Sequence, residues 1–191
     1  MLTILLIRAG RTEYDCQGRI QGTLDVPLSD EGRQQATVAA DELIGKSADV
    51  AALYAGPCLS AQQTAEIVGE RLKLKPKTLA KLHNLDQGLW QGMLFDEVKT
   101  KQPRVYRQWQ ERPETVCPPG GETVSDAGER LKTALAKLIK KHKSGTVALV
   151  LAAPLASVLR SMLRAEQPPC LCQAQSAAKP LWEAIEATVA E

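Results

Sequence analysis

The sequence predicts an α/β fold built on a mostly parallel sheet. Three observations predict it. Short apolar runs alternate with amphipathic stretches along the chain. The runs at residues 2–7 and 147–151 are apolar but for Thr3, as strands buried on both faces are. The 191 residues contain no internal repeat and no long linker, and they suit one domain over residues 1–191 with a sizeable core.

The elements follow in order. Residues 2–7 form the first strand. A helix over residues 30–44 follows Ser29 as N-cap and carries Ala36, Ala40 and Leu43 on one face. Residues 50–54 read as the second strand. Ser60 caps the next helix, whose stripe is Ala61, Ala65, Val68 and Leu72. A middle region, residues 73–119, holds Trp90 and Trp109, read as lid and core packing, and two short helices over residues 93–101 and 104–111. Pro118-Pro119-Gly120-Gly121 breaks the chain. A long helix over residues 125–142 buries Ala127, Leu131, Leu135, Leu138 and Ile139. After the strand 147–151, Pro154 opens a helix that ends at Arg164, a position where proline is tolerated. Residues 180–191 fit either a helix or a strand around 182–189.

Composition narrows the function classes. Hydrophobic residues make up 44% and charged residues 24%, the balance of a globular protein. A net charge of +2 without a dense basic run argues against nucleic acid as partner. No apolar stretch approaches membrane-spanning length, and residues 2–7 lack the basic flank of a secretion signal, so a cytoplasmic location with no membrane partner is expected. The five cysteines are odd in number and irregularly spaced, which suits reduced thiols. Cys170-Leu171-Cys172 offers two sulfurs and no nearby histidine, too few for a metal; neither metal nor cofactor is expected.

Several ordered motifs carry a resemblance. They are Arg8-Ala9-Gly10-Arg11-Thr12; the run from Gly18 through Pro27 to Ser29, continued by Gly32, Gln35 and Ala36; Pro57 with Gln63-Thr64-Ala65; Leu82 with Gly88, Trp90 and Gly92; Gly120-Gly121-Glu122-Thr123; and the stretch 147–160. Over residues 1–165 the chain resembles the histidine phosphatase superfamily, the phosphoglycerate mutase-like enzymes. The resemblance implies a three-layer α/β/α sandwich with a mostly parallel central sheet. It also implies a nucleophilic histidine, a second histidine, two arginines around the phosphate, and an acid that protonates the leaving group. Such a set is chemically required: the transferred group carries about two negative charges, and an alkoxide leaves poorly without a proton.

Position by position, the reactive side chains are missing. Ala9 stands at the nucleophile, Ser60 at the second arginine, Asn84 at the acid and Ala152 at the second histidine. No catalytic residue is therefore assigned, and the chain is expected to be a pseudoenzyme rather than an enzyme, with residual turnover no faster than water. Phosphate or a phosphorylated small molecule is expected to bind through Arg8, Arg11 and the helix start at Ser60, or the chain acts through a surface that meets a protein partner. The second reading is an active phosphatase or phosphomutase on phosphomonoesters with relocated chemistry, carried by Arg8, Cys58 and His83. His142, in a lysine-rich helix end, is read as a surface residue, and Asp15 as a negative charge brought towards any phosphate.

Overall fold

The computed structural model describes residues 1–46, 50–167, 170–172 and 181–187. Its strands are β1 (Leu2–Arg8), β2 (Val50–Ala55), β3 (Lys77–Thr78), β4 (Gly145–Leu151) and β5 (Trp182–Ala187). Its α-helices are α1 (Glu13–Gln17), α2 (Asp30–Lys46), α3 (Leu59–Leu72), α4 (Phe95–Lys101), α5 (Pro103–Glu111), α6 (Val124–Lys141) and α7 (Ala153–Arg164). The strands form one sheet in the order β3-β2-β4-β1-β5. All pairings are parallel except that of β1 with β5.

The two faces of the sheet make two apolar layers, because side chains alternate along a strand. Leu2, Ile4 and Leu6 of β1 join Val147, Leu149 and Leu151 of β4 under α6 and α7. Leu5 and Ile7, with Ala148 and Val150, face Ala40 and Leu43 of α2 and Ala61, Ala65 and Val68 of α3. The expected layering of helix, sheet and helix follows from this division. Trp90 and Trp109 are both buried in the first layer.

Topology positions a crevice. The chain leaves β1 towards α2 on one face and leaves β4 towards α7 on the other. Adjacent strands whose connections diverge open a cleft at their carboxyl ends. Arg8 pairs with Leu151 in register, and the Ala9 N–H donates to the Leu151 carbonyl at 2.7 Å. Residues 8–10 and 152–154 therefore reach the same end of the sheet side by side.

Some elements differ from expectation. The five-residue α1 and the two-residue β3 are too short to show a hydrophobic period. The tail reads as a strand over Trp182–Ala187, and the rest of the expected span, residues 188–189, lies outside the described residues. Cys170 and Cys172 are joined as a disulfide, against the expectation of reduced thiols: a Cα–Cα distance of 5.6 Å brings the sulfurs within bonding reach despite the close spacing. His142 is anchored rather than simply solvated, with Nε2 2.9 Å from the Tyr54 hydroxyl.

The loop after β1 runs against α2. A methyl group placed on Gly32 would fall on the Arg11 carbonyl oxygen, and one on Gly10 would fall on that of Gly32. In an open helix position, alanine for glycine is stabilising. Here Gly32→Ala is expected to destabilise by about 1–3 kcal/mol through overpacking. Tm then falls by about 2–4 °C for each kcal/mol in a chain of this size. A thermal melt at or above that of the parent would show that the loop yields.

Candidate active site

A cavity of about 210 Å³ opens at the carboxyl ends of β1 and β4. Arg8, Ala9 and Gly10 enter it from β1, and Ala152, Ala153 and Pro154 from the start of α7. Ser60 enters from the start of α3, Asp15 from α1, and Arg19 and Gly22 from the following loop. Phe95, Trp109 and Leu171 line it as well.

Two helix N-termini meet here, and the first N–H of α3, that of Leu59, donates to Asp25 Oδ1 at 3.2 Å. Cys58, the N-cap of α3, makes no capping hydrogen bond, and neither does Ala152, the N-cap of α7. The first N–H groups of a helix have no partner within it and carry a partial positive charge. Ser60 and Ala153, both in first helical turns, bring that potential to the cavity wall. The Gly10 N–H is already held by the Thr64 hydroxyl at 3.1 Å, and the Arg11 N–H by Gln35 Oε1 at 3.1 Å.

Arg8 is the central charge. Its Nη2 atom is buried and has no hydrogen-bond partner among the described residues. Burial pulls the guanidinium below its ordinary pKa, and the nearby Asp15 carboxylate offsets part of that. A buried cation short of hydrogen bonds is costly unless an anion completes it. Asp15 does not supply that pairing alone. Its Oδ2 accepts the Thr12 N–H at 2.8 Å and the Thr12 hydroxyl at 2.9 Å, while the Thr12 hydroxyl oxygen accepts the Asp15 N–H. The two residues form a reciprocal cap on α1.

The residues singled out from the sequence are not all brought together. Arg8, Ala9, Ser60 and Ala152 share the cavity wall. Arg11 does not line it: its Nη1 pairs with Glu31 Oε2 at 2.6 Å and its Nη2 donates to the Asp15 carbonyl. Asn84 is buried behind the wall, with Nδ2 donating to the Gly22 carbonyl at 2.7 Å. Neither candidate for relocated chemistry lines the cavity. Cys58 is buried, and burial pushes its thiol up, away from a reactive thiolate. His83 Nδ1 lies 2.9 Å from the Asn84 carbonyl oxygen.

Sequence reasoning missed Arg19 and the aromatic wall. Arg19 Nη1 donates to the Gly92 carbonyl at 2.7 Å, which holds its guanidinium at the rim. Phe95 stacks on Trp109 with ring centroids 6.0 Å apart, and Trp90 lies 5.1 Å from Trp109. The signal available for Arg19 was its place inside the Gly18–Pro27 motif. Among the described residues no group of three or more His, Cys, Asp or Glu could hold a metal ion, and no helix is long and apolar enough to cross a membrane.

Comparison with known proteins places these features. The chain is 35% identical over 150 residues to phosphoserine phosphatase 1 of Hydrogenobacter thermophilus, covering 78% of this chain and 70% of that protein. Other curated relatives are spanned over 40–64% of their length. Among solved structures, mycobacterial glucosyl-3-phosphoglycerate phosphatase in complex with VO3 superposes with a TM-score of 0.78 at 29% identity, covering 84% of this chain and 81% of that one. A mutant phosphoserine phosphatase from Entamoeba histolytica, with a histidine replaced by alanine and phosphoserine bound, superposes with a TM-score of 0.74 at 25% identity, covering 88% and 82%.

These names correct the expectation of a non-enzyme. Relatives and structural neighbours are named phosphatases, which points to an enzyme. The expectation counted only reactive side chains. Stabilisation of a phosphoryl group also comes from fixed cations and backbone dipoles, and these are not erased by losing a histidine. The histidine phosphatase superfamily (branch 1) model matches residues 4–170, more than half of the chain, and the chain belongs to that family.

Proposed function

We propose that the cleft binds the phosphoryl group of a phosphate monoester and that the chain hydrolyses such esters, with water in place of the family's histidine as nucleophile. The observation that carries this reading is the half-buried guanidinium of Arg8 at the end of β1, whose buried Nη2 has no hydrogen-bond partner among the described residues. The start of α7, which has no side-chain cap, adds to the potential that draws an anion. Ala9, Ser60, Asn84 and Ala152 stand where the family's reactive groups would be. The site is degenerate by that pattern, and its pull on phosphate is electrostatic. Arg11 takes no part, since Glu31 holds it. Support for the binding part of this reading also comes from the structural neighbour that holds phosphoserine with a histidine replaced by alanine.

The test combines binding and turnover. Inorganic phosphate at about a hundredfold excess over its Kd stabilises by about 2.7 kcal/mol. At about 2–4 °C per kcal/mol this is a readily measured rise in Tm. Turnover of p-nitrophenyl phosphate is expected at about a thousandfold over water, the order retained by hydrolases stripped of their reactive side chains. No thermal shift at 100 mM phosphate (roughly a hundred times a 1 mM Kd), or no turnover above water, would overturn the reading.

A further inference from the structure

We infer that the substrates of this cleft are aryl phosphates, esters whose oxygen leaves without being protonated. The inference rests on the phosphatase reading above and specifies its substrate class.

The first observation concerns proton donors. Among the described residues that line the cavity there is no histidine and no lysine, and the one carboxyl group is that of Asp15. Its Oδ2 serves the Thr12 cap. Asn84, where the family places its acid, has an amide that cannot give up a proton at a useful rate. It is turned to the Gly22 carbonyl and does not line the cavity. The hydroxyls of Thr12, Ser60 and Ser157, the amides of Gln21 and Gln87 and the guanidinium groups of Arg8 and Arg19 are far too weakly acidic to give a leaving oxygen its proton.

The second observation concerns what stands opposite the phosphoryl end. Phe95, Trp109 and Leu171 make an apolar wall on the same cavity. Trp109 is fixed in place between Trp90 and Phe95. Trp109 is buried and backs Phe95, which is only half-buried and can take another ring by offset or edge contact. The cavity, about 210 Å³, lies below the roughly 300–1,000 Å³ of sites for larger ligands, so a single ring with its phosphate suits it.

The reaction balances without an acid. The oxygen of water attacks phosphorus while the bond from phosphorus to the ester oxygen breaks. The leaving oxygen departs with the electron pair as a phenolate, and both protons of the water go with the attacking oxygen to give dihydrogen phosphate, which then releases one to solvent. Because the transition state is loose, the charge on the leaving oxygen develops early and its stability controls the rate. A phenol with a pKa of about 10, like that of tyrosine, leaves far more readily than an alkoxide. The latter's conjugate acid is nearly as weak as water, with a pKa of about 15.7.

The experiment measures kcat/KM for substituted phenyl phosphates of graded leaving-group pKa, with phosphoserine as the alkyl ester. The expected result is a steep series, about tenfold slower for each pKa unit, with phosphoserine bound as a competitive inhibitor but not turned over above water. A flat series, or phosphoserine turned over as fast as phenyl phosphate, would overturn the inference and leave the phosphatase reading standing. No turnover of any ester, the most activated included, would overturn both. Arg8→Met separates this protein's activity from a contaminating phosphatase. Loss of turnover in the variant assigns the series to this cleft, and unchanged turnover removes the support for the inference.

Discussion

Replacing Arg8 by methionine is expected to raise the Tm of the ligand-free protein and to abolish its stabilisation by phosphate. The opposite signs follow from one cause. The Arg8 side chain pays desolvation on folding, and its buried Nη2 gains no hydrogen bond in return. Methionine has a similar reach, is flexible enough to fill the space and brings no charge. The free protein thus loses an unfavourable burial, whereas the complex loses its main cation. A hydrogen bond to a charged group contributes about 1.5–3 kcal/mol, so the Kd for phosphate should weaken by about ten- to a hundredfold. Calorimetric titration and thermal melts on the same two proteins read both quantities. If the variant melts lower and binds phosphate equally well, Arg8 is a structural residue and not the anion's partner. Arg8→Lys should recover only part of the binding, because an ammonium group lacks the planar fork of the guanidinium.

How far the sequence reached can be judged on particular residues. The buried strands were readable because Leu2–Ile7 and Val147–Leu151 are apolar on both faces. The helix α6 was readable because its stripe recurs at helical spacing. α1 has too few residues for a period, so the meaning of Asp15 was missed: its carboxylate closes a helix cap with Thr12 beside the cavity. Arg11 was grouped with Arg8 because they are near neighbours in sequence. The chain turns between them, and Glu31 on α2 takes the second guanidinium. The aromatic wall joins Phe95 of α4, Trp109 of α5 and Leu171, which no local pattern connects. The larger error concerned activity. Side chains that react have names in a motif; an uncapped helix start and an arginine short of partners among the described residues do not, although each would draw an anion through space.

Substituting Arg130 by methionine is expected to be among the most damaging single changes outside the core. Arg130 and Glu122 form a fork, with Nη2 to Oε1 at 2.6 Å and Nε to Oε2 at 3.0 Å, and their side chains are only 14% and 15% exposed. Arg130 also donates to the backbone carbonyls of Lys81 at 2.9 Å and Asn84 at 3.2 Å, while Glu122 Oε1 accepts the Asp86 N–H at 3.0 Å. The pair therefore ties the segment carrying Asn84 and Gln87 to α6, and Gln87 lines the cavity. Breaking a largely buried pair from one side leaves the other charge without compensation, which costs about 3–5 kcal/mol. The residual exposure of both side chains places this case near the lower end, about 3 kcal/mol. At about 2–4 °C per kcal/mol, Tm should drop by roughly 6–12 °C. Removing both charges as Arg130→Met with Glu122→Gln should cost less than the sum of the single changes, because no unpaired carboxylate remains. A double-mutant cycle on Tm and denaturant midpoints checks this. Additive effects would mean that the two side chains act independently, each through its own backbone contacts, and that the fork itself contributes nothing to holding this side of the cleft.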